Sequence, residues 1–287
     1  MKPSSFARLG IRSSWRRLVG GVCFAVGLWG AGGLPAFAES SLANVLQDGK
    51  IRVGVLETFK PFGFRDANGE LAGLDVDLAK DTAERLQVQL ELVPVTSANR
   101  MQLLQQGRID VIIGAMGDTE ERRKIVGMVT PHYFTSGPNV LAKAGVFKQW
   151  TDLKGQTTCA KQGLSYIRFV QQEIGAKMLT FGDLPEALQA LRNGRCVSLL
   201  TDDFQVMTLL ASGDWSGWEM PLPARENVGW SVGVPVEELD GPLGRTMAGL
   251  VYEWHAKGKL VELANKWNVN SNPWPQEMEK KLKDDLK

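Results

Sequence analysis

The sequence predicts an α/β fold of two lobes, each a parallel sheet covered by helices. Three observations carry that expectation. Strand-like and helix-like segments alternate through the first part of the chain, the same alternation begins again near residue 157, and more elements follow the second series. Strands alternating with helices imply parallel sheets.

The elements follow in order. Ile51, Val53 and Val55 alternate with other residues, a strand pattern, and Val76, Ala79, Ala83 and Leu86 then recur at helical spacing between Asp75 and Gln87. A strand passes through Leu90, Leu92 and Val95, and a short helix from about Ala98 to Gln106 stops at Gly107. The unbroken apolar run from Ile109 to Gly114 is that of a strand buried on both faces. The second series has strands at Thr157–Lys161, Met178–Phe181 and Cys196–Thr201. Its helices lie at Tyr166–Ile174 and Pro185–Asn193. A strand at Val228–Val234 and helices at Leu243–His255 and Lys259–Trp267 come last. A chain that builds two lobes and continues is expected to return to the first. Crossings near Gly137–Lys143 and Asn227–Val232 would then act as a hinge. In the tail, Met278, Leu282 and Leu286 stand four apart and predict a solvated terminal helix.

The first 38 residues are expected to stand outside this fold. Lys2, Arg8, Arg12, Arg16 and Arg17 precede an apolar run from Leu18 to Leu34, and Ala36-Phe37-Ala38 closes the segment without a single acid. Basic head, apolar middle and small-x-small end make a secretory signal peptide cleaved after Ala38. The alternative, a membrane anchor, fits poorly with six glycines in the run. Removing those five cations from the 33 Lys and Arg leaves 28 against 32 Asp and Glu, a net charge of −4. Nucleic acid is therefore an unsuitable partner. Cys159 and Cys196 remain, and an even count in an oxidising compartment favours a bridge over two free thiols.

Little in the chain points to enzyme chemistry. There is no phosphate loop, and two histidines with three cysteines leave little for a metal or haem site. No catalytic residue, metal or cofactor is expected.

Six segments point elsewhere. They are Ile51-Arg-Val-Gly-Val with Lys60-Pro-Phe-Gly-Phe64; Gly69-Glu-Leu-Ala-Gly-Leu-Asp-Val-Asp-Leu78; Gln105-Gln-Gly-Arg-Ile-Asp-Val-Ile-Ile-Gly-Ala115; Thr119-Glu-Glu-Arg122; Gly194-Arg-Cys196 with Thr201-Asp202; and Gly258-Lys-Leu-Val-Glu-Leu-Ala-Asn-Lys-Trp267. In this order, from about Lys50 to Trp267, they resemble the family 3 periplasmic solute-binding proteins, the amino-acid receptors of ABC importers. The resemblance implies a periplasmic-binding-protein-like fold, two α/β lobes joined by a two-strand hinge with the ligand in the cleft. The expected divisions are residues 39–139 in lobe one, 140–228 in lobe two, 229–270 returning to lobe one, and 271–287 as the tail. It also implies a periplasmic monomer that binds a free amino acid and passes it to an ABC permease of the inner membrane. Two other readings of the same fold are a periplasmic lyase similar to cyclohexadienyl dehydratase and a sensory amino-acid-binding protein.

A zwitterion stripped of water needs partners for both charges. By resemblance Arg122 holds the α-carboxylate, as a guanidinium can bidentately, and Asp202 holds the α-ammonium. Without the resemblance, Arg122 would be a surface arginine and Asp202 a helix N-cap. Phe59 matches an aromatic packed over the ligand, Ser165 a position meeting the carboxylate, and Lys161 a contact from the second lobe. Gly114, Ala115 and Gly117 match the strand end beside the ligand, Gly117 replacing a family threonine. Val95-Thr-Ser-Ala-Asn-Arg100 is similar to a stretch of the glutamate/aspartate branch and implies that Ser97 and Arg100 approach a side-chain carboxylate. Leu56 argues against it, since many relatives carry a charge there.

Overall fold

Alternation around Ile51 becomes a real strand because its apolar residues meet a helix on one side and neighbouring strands on both edges. In chain order the first elements of the computed structural model are α1 (Ser41–Asp48), β1 (Lys50–Leu56), β2 (Thr58–Phe59), β3 (Gly63–Arg65), β4 (Leu71–Ala72), α2 (Leu74–Leu86), β5 (Gln89–Val95) and α3 (Arg100–Gln105). β6 (Val111–Gly117), α4 (Glu120–Arg123), β7 (Val126–Met128), β8 (Phe134–Ser136) and β9 (Pro138–Lys143) follow. The structure describes residues 41–269 and 272–285, so the expected signal peptide and Leu286 lie outside the described residues.

The second series is β10 (Thr157–Lys161), α5 (Ile167–Phe169), β11 (Lys177–Phe181), α6 (Leu184–Arg192), β12 (Ser198–Asp202), α7 (Asp203–Ala211) and β13 (Trp218–Glu219). Then come β14 (Val228–Pro235), α8 (Pro242–Ala256), α9 (Lys259–Lys266) and α10 (Trp274–Asp285).

Two sheets of matching design result. The first has the order β5-β1-β6-β14-β7, with β8 also paired to β14, and the second has the order β11-β10-β12-β9-β13. β1 runs parallel to β5 and β6, and β10 runs parallel to β11 and β12. In each sheet one antiparallel strand lies beside the last parallel one: β14 against β6, and β9 against β12. The chain leaves the first sheet after β8, passes Gly137 and enters the second at β9; it returns through β14. This places the carboxyl ends of β6 and β12 beside the crossings, the usual ligand position in open α/β sheets.

Two strands differ from their expected bounds by more than one residue. β6 runs on to Gly117 because β14 pairs with it, Trp230 opposite Gly117 and Ser231 opposite Met116. Local alternation holds no trace of that long-range partner. β12 begins at Ser198 and ends at Asp202, opposite Pro138. The expected helix at Tyr166–Ile174 is only partly α-helical. After three residues it widens into a turn over Val170–Ile174, where the Ala176 N–H donates to the Val170 carbonyl at 3.1 Å, and Gly175 ends it with φ 82.

The terminal helix corrects the expectation that it is solvated. Pro275 and Leu282 are buried against the body, and Trp274 meets the His255 ring edge-on at 5.1 Å. Its apolar stripe finds α8 as a partner, which spacing in the tail does not reveal. Among the described residues no helix is long and apolar enough to cross a membrane.

Candidate functional site

The ends of β6, β10 and β12 bring a set of charged residues together. A tight cavity is lined by Ser97, Arg100, Ala115, Gly117, Arg122, Lys161, Ser165 and Asp202, together with Gly163, Leu164 and Trp230. Eight of the ten residues expected at the ligand are in this lining. Phe59 and Gly114 are not: Phe59 is 1% exposed with the Lys161 ammonium 3.5 Å over its ring centre. Gly114 lies behind the wall, its carbonyl accepting from Arg100 Nη1. Leu56 is also buried, and it does not line the cavity.

Arg122 sits on α4, one step past the end of β6. Thr119 caps this short helix by accepting from the Arg122 N–H at 3.3 Å, which fixes the turn that buries the side chain. Its guanidinium donates to the Gly117 carbonyl at 2.7 Å and across the cleft to the Gly163 carbonyl at 2.8 Å. No carboxylate among the described residues lies within ion-pair distance. Burial holds its pKa below the usual arginine value, with Tyr166, Asp202, Asp118 and Glu121 opposing. A charge held only by carbonyls is ready for an anion.

Arg100, at the start of α3, is 2% exposed. It too has only carbonyl partners, Gly114 and Ala115. Burial lowers its pKa to about 9, and the nearby Arg122 charge adds to the effect. Ala115 has φ 48, an unusual conformation for a residue with a side chain, and its N–H donates to Tyr133 Oη at 2.8 Å.

The anionic member is Asp202. It occupies the N-cap position of α7 but makes no side-chain cap bond. Instead, Oδ1 accepts from Tyr166 Oη at 3.2 Å. The neighbouring Asp203 does the local work, accepting from Ser136 Oγ at 2.7 Å and from the Phe204 N–H. Burial raises the Asp202 pKa and lowers that of Lys161, while each charge partly restores the other.

Glycine is needed at one contact and makes room at a second. Gly163 has φ 75, and a Cβ there would lie 2.3 Å from the Ser97 carbonyl carried by the other sheet's lobe. At Gly117 a Cβ would press on Val228 at 3.1 Å and Ser165 Oγ at 3.3 Å. Gly163, Leu164 and Trp230 were not singled out from the sequence. The Gly-Leu-Ser run after a predicted strand and the position of Trp230 in a predicted crossing were the available signals. Larger hollows lie at the far end of β1; Arg52 and Asp110, which line one of them, are already mutually satisfied at 2.5 Å. Among the described residues no cluster of His, Cys, Asp and Glu could hold a metal ion.

A two-lobed α/β fold with a charged cleft between its sheets defines a ligand-binding protein of the periplasmic-binding type. The chain belongs to the bacterial extracellular solute-binding proteins, family 3, whose model matches residues 51–270. It is similar to the L-cystine-binding protein TcyJ of Escherichia coli, 28% identical over 85% of this chain and 92% of that one. The ABC transporter arginine-binding protein 1 of the same species is 31% identical over 76% of this chain and 90% of its own length. Among solved structures, a mutant of the arginine-binding protein ArgBP from T. maritima superimposes with a TM-score of 0.74 at 28% identity, covering 80% of this chain and all of that one. These relatives are binding proteins, not enzymes, and family membership makes this chain a solute-binding protein of amino-acid ABC importers. Cys159 and Cys196 are joined by a disulfide, with their Cα atoms 5.7 Å apart.

Proposed function

We propose that this protein captures a dicarboxylic amino acid, glutamate or aspartate, in the periplasm and delivers it to an inner-membrane ABC permease by closing its lobes. Export by the N-terminal segment, cleavage after Ala38 and a monomeric receptor belong to the same reading. The supporting observation is the charge of the cleft. Arg100, Arg122 and Lys161 line it against one carboxylate, Asp202, and both arginines are bonded only to carbonyls. A ligand with two carboxylates and one ammonium answers that pattern. Arg122 takes the α-carboxylate with help from Ser165, Asp202 takes the α-ammonium, and Arg100 with Ser97 takes the side-chain carboxylate. Lys161 approaches from the second lobe, its ammonium now resting on Phe59.

Closure needs no chemistry, because a ligand that touches both lobes favours the state in which they meet. At roughly 0.8 kcal/mol per heavy atom, ten ligand atoms give about micromolar affinity. Calorimetry with the wild-type protein and Arg100→Ala tests the reading. Glutamate is expected to lose at least about tenfold in affinity on this substitution, as a buried charge loses its partner, while glutamine changes little. An equal loss for both, or a wild-type preference for arginine or cystine over glutamate, overturns it.

A further inference from the structure

Beneath the cavity lies a carboxylate that the proposed ligand contacts do not use. Asp75, in the first turn of α2, is 0% exposed, and neither of its oxygens makes a well-formed hydrogen bond, although the Tyr133 hydroxyl and the Ala115 amide both act on it. Nε of the neighbouring Arg100 is buried and equally without a partner. Buried polar atoms are almost always paired, so a carboxylate and a guanidinium nitrogen that feel each other's charge and both lack a well-formed bond need an explanation.

The groups facing Asp75 come from four elements or their flanks. They are the Tyr133 hydroxyl between β7 and β8, the Ala115 amide on β6, Arg100 on α3 and, farther off, Lys161 on β10. Arg100 thus lines the cleft and also feels the Asp75 charge. A carboxylate entering the cleft competes with Asp75 for the same guanidinium.

We propose that Asp75 is a positioning residue that tunes the cleft for a carboxylate side chain by taking up a proton when that side chain engages Arg100; this rests on the acidic-ligand reading above. The proton comes from solvent, adds to one Asp75 oxygen and returns to solvent on release, so no other reactant is involved. Neutral Asp75 leaves the Arg100 charge to the ligand. A ligand with an uncharged side chain does not compete for Arg100 and draws no proton to Asp75. Burial already places the group where this exchange is easy, raising its pKa to about 7 against the pull of Tyr133 and Arg100. Raising the pH through that range ionises Asp75 in the empty protein and sets it against the ligand.

Calorimetry of L-glutamate and L-glutamine, in buffers of differing ionisation heat, counts the protons. Glutamate is expected to bind with proton uptake and to lose up to about tenfold in affinity from about pH 6 to about pH 8. Glutamine is expected to do neither. Asp75→Asn, which keeps the shape without the charge, should remove the Asp75 share of the uptake and flatten the glutamate profile. Lys161→Met removes a ligand contact and is expected to weaken glutamate binding overall, while the Asp75 share of the uptake and the fall in affinity with pH persist. Uptake unchanged in Asp75→Asn, or abolished in Lys161→Met, overturns the proposal and moves the proton to Lys161. The Lys161→Met result decides even where Asp75→Asn does not fold. If glutamate fails to bind the wild-type protein, the acidic-ligand reading itself falls; if it binds without proton uptake, only the role of Asp75 does.

Discussion

Adjacent arginines on α4 have opposite fates. Arg123 is 56% exposed in its side chain and pairs with Asp118 through two bonds, at 2.7 and 2.6 Å. Arg122, one helical step round, is buried in the cleft with carbonyl partners only. The run Glu120-Glu121-Arg122-Arg123-Lys124 does not itself say which cation turns inward; a rotation of about 100° per residue does. Arg122→Ala is expected to weaken ligand affinity by at least about tenfold, measured by calorimetry. Arg123→Ala should leave affinity within about twofold, since its guanidinium turns to Asp118 and solvent and does not line the cavity. Equal losses at the two positions would deny Arg122 its role.

Among the elements, the disulfide is the cross-link whose contribution can be measured directly. Cys159 on β10 is joined to Cys196, just before β12, and the two strands pair in parallel. The bridge closes a separation of 37 residues. Constraint of the unfolded chain by a loop of that size contributes about 4 kcal/mol in the entropic model. Replacing both cysteines by serine should therefore lower stability by up to about that amount in urea unfolding. A double variant as stable as the wild type would show that the bridge contributes nothing. The parallel strands were legible because their apolar residues are continuous or alternate locally. The small sheet β2-β3-β4 and helix α4 were not, being too short to show a period.

Across the whole molecule, one side chain marks where the lobes meet. Phe204 on α7 packs among aromatics of the first lobe: Phe62 at 4.8 Å, Trp230 at 5.5 Å and Phe59 at 5.6 Å. Together with Gly163 against Ser97, it joins the two lobes in this structure. Adding glutamate is expected to reduce the radius of gyration in small-angle X-ray scattering, as for hinge closure around a ligand. An unchanged radius at saturation would mean that binding proceeds without domain movement.

The chain's local order, read alone, determined the repeated strand–helix alternation, the family motifs and the two cysteines. Period and spacing are properties of neighbouring residues, so they survive without a fold. Only the tertiary structure decided which charges meet. Arg100, Arg122, Lys161 and Asp202 lie on four separate elements, and strand order and the extension of β6 by β14 bring them to one cavity. The same holds for Lys161 on Phe59 and for α10 on α8. Desolvation and charge act through space, and distance in space is set by packing that no local pattern records.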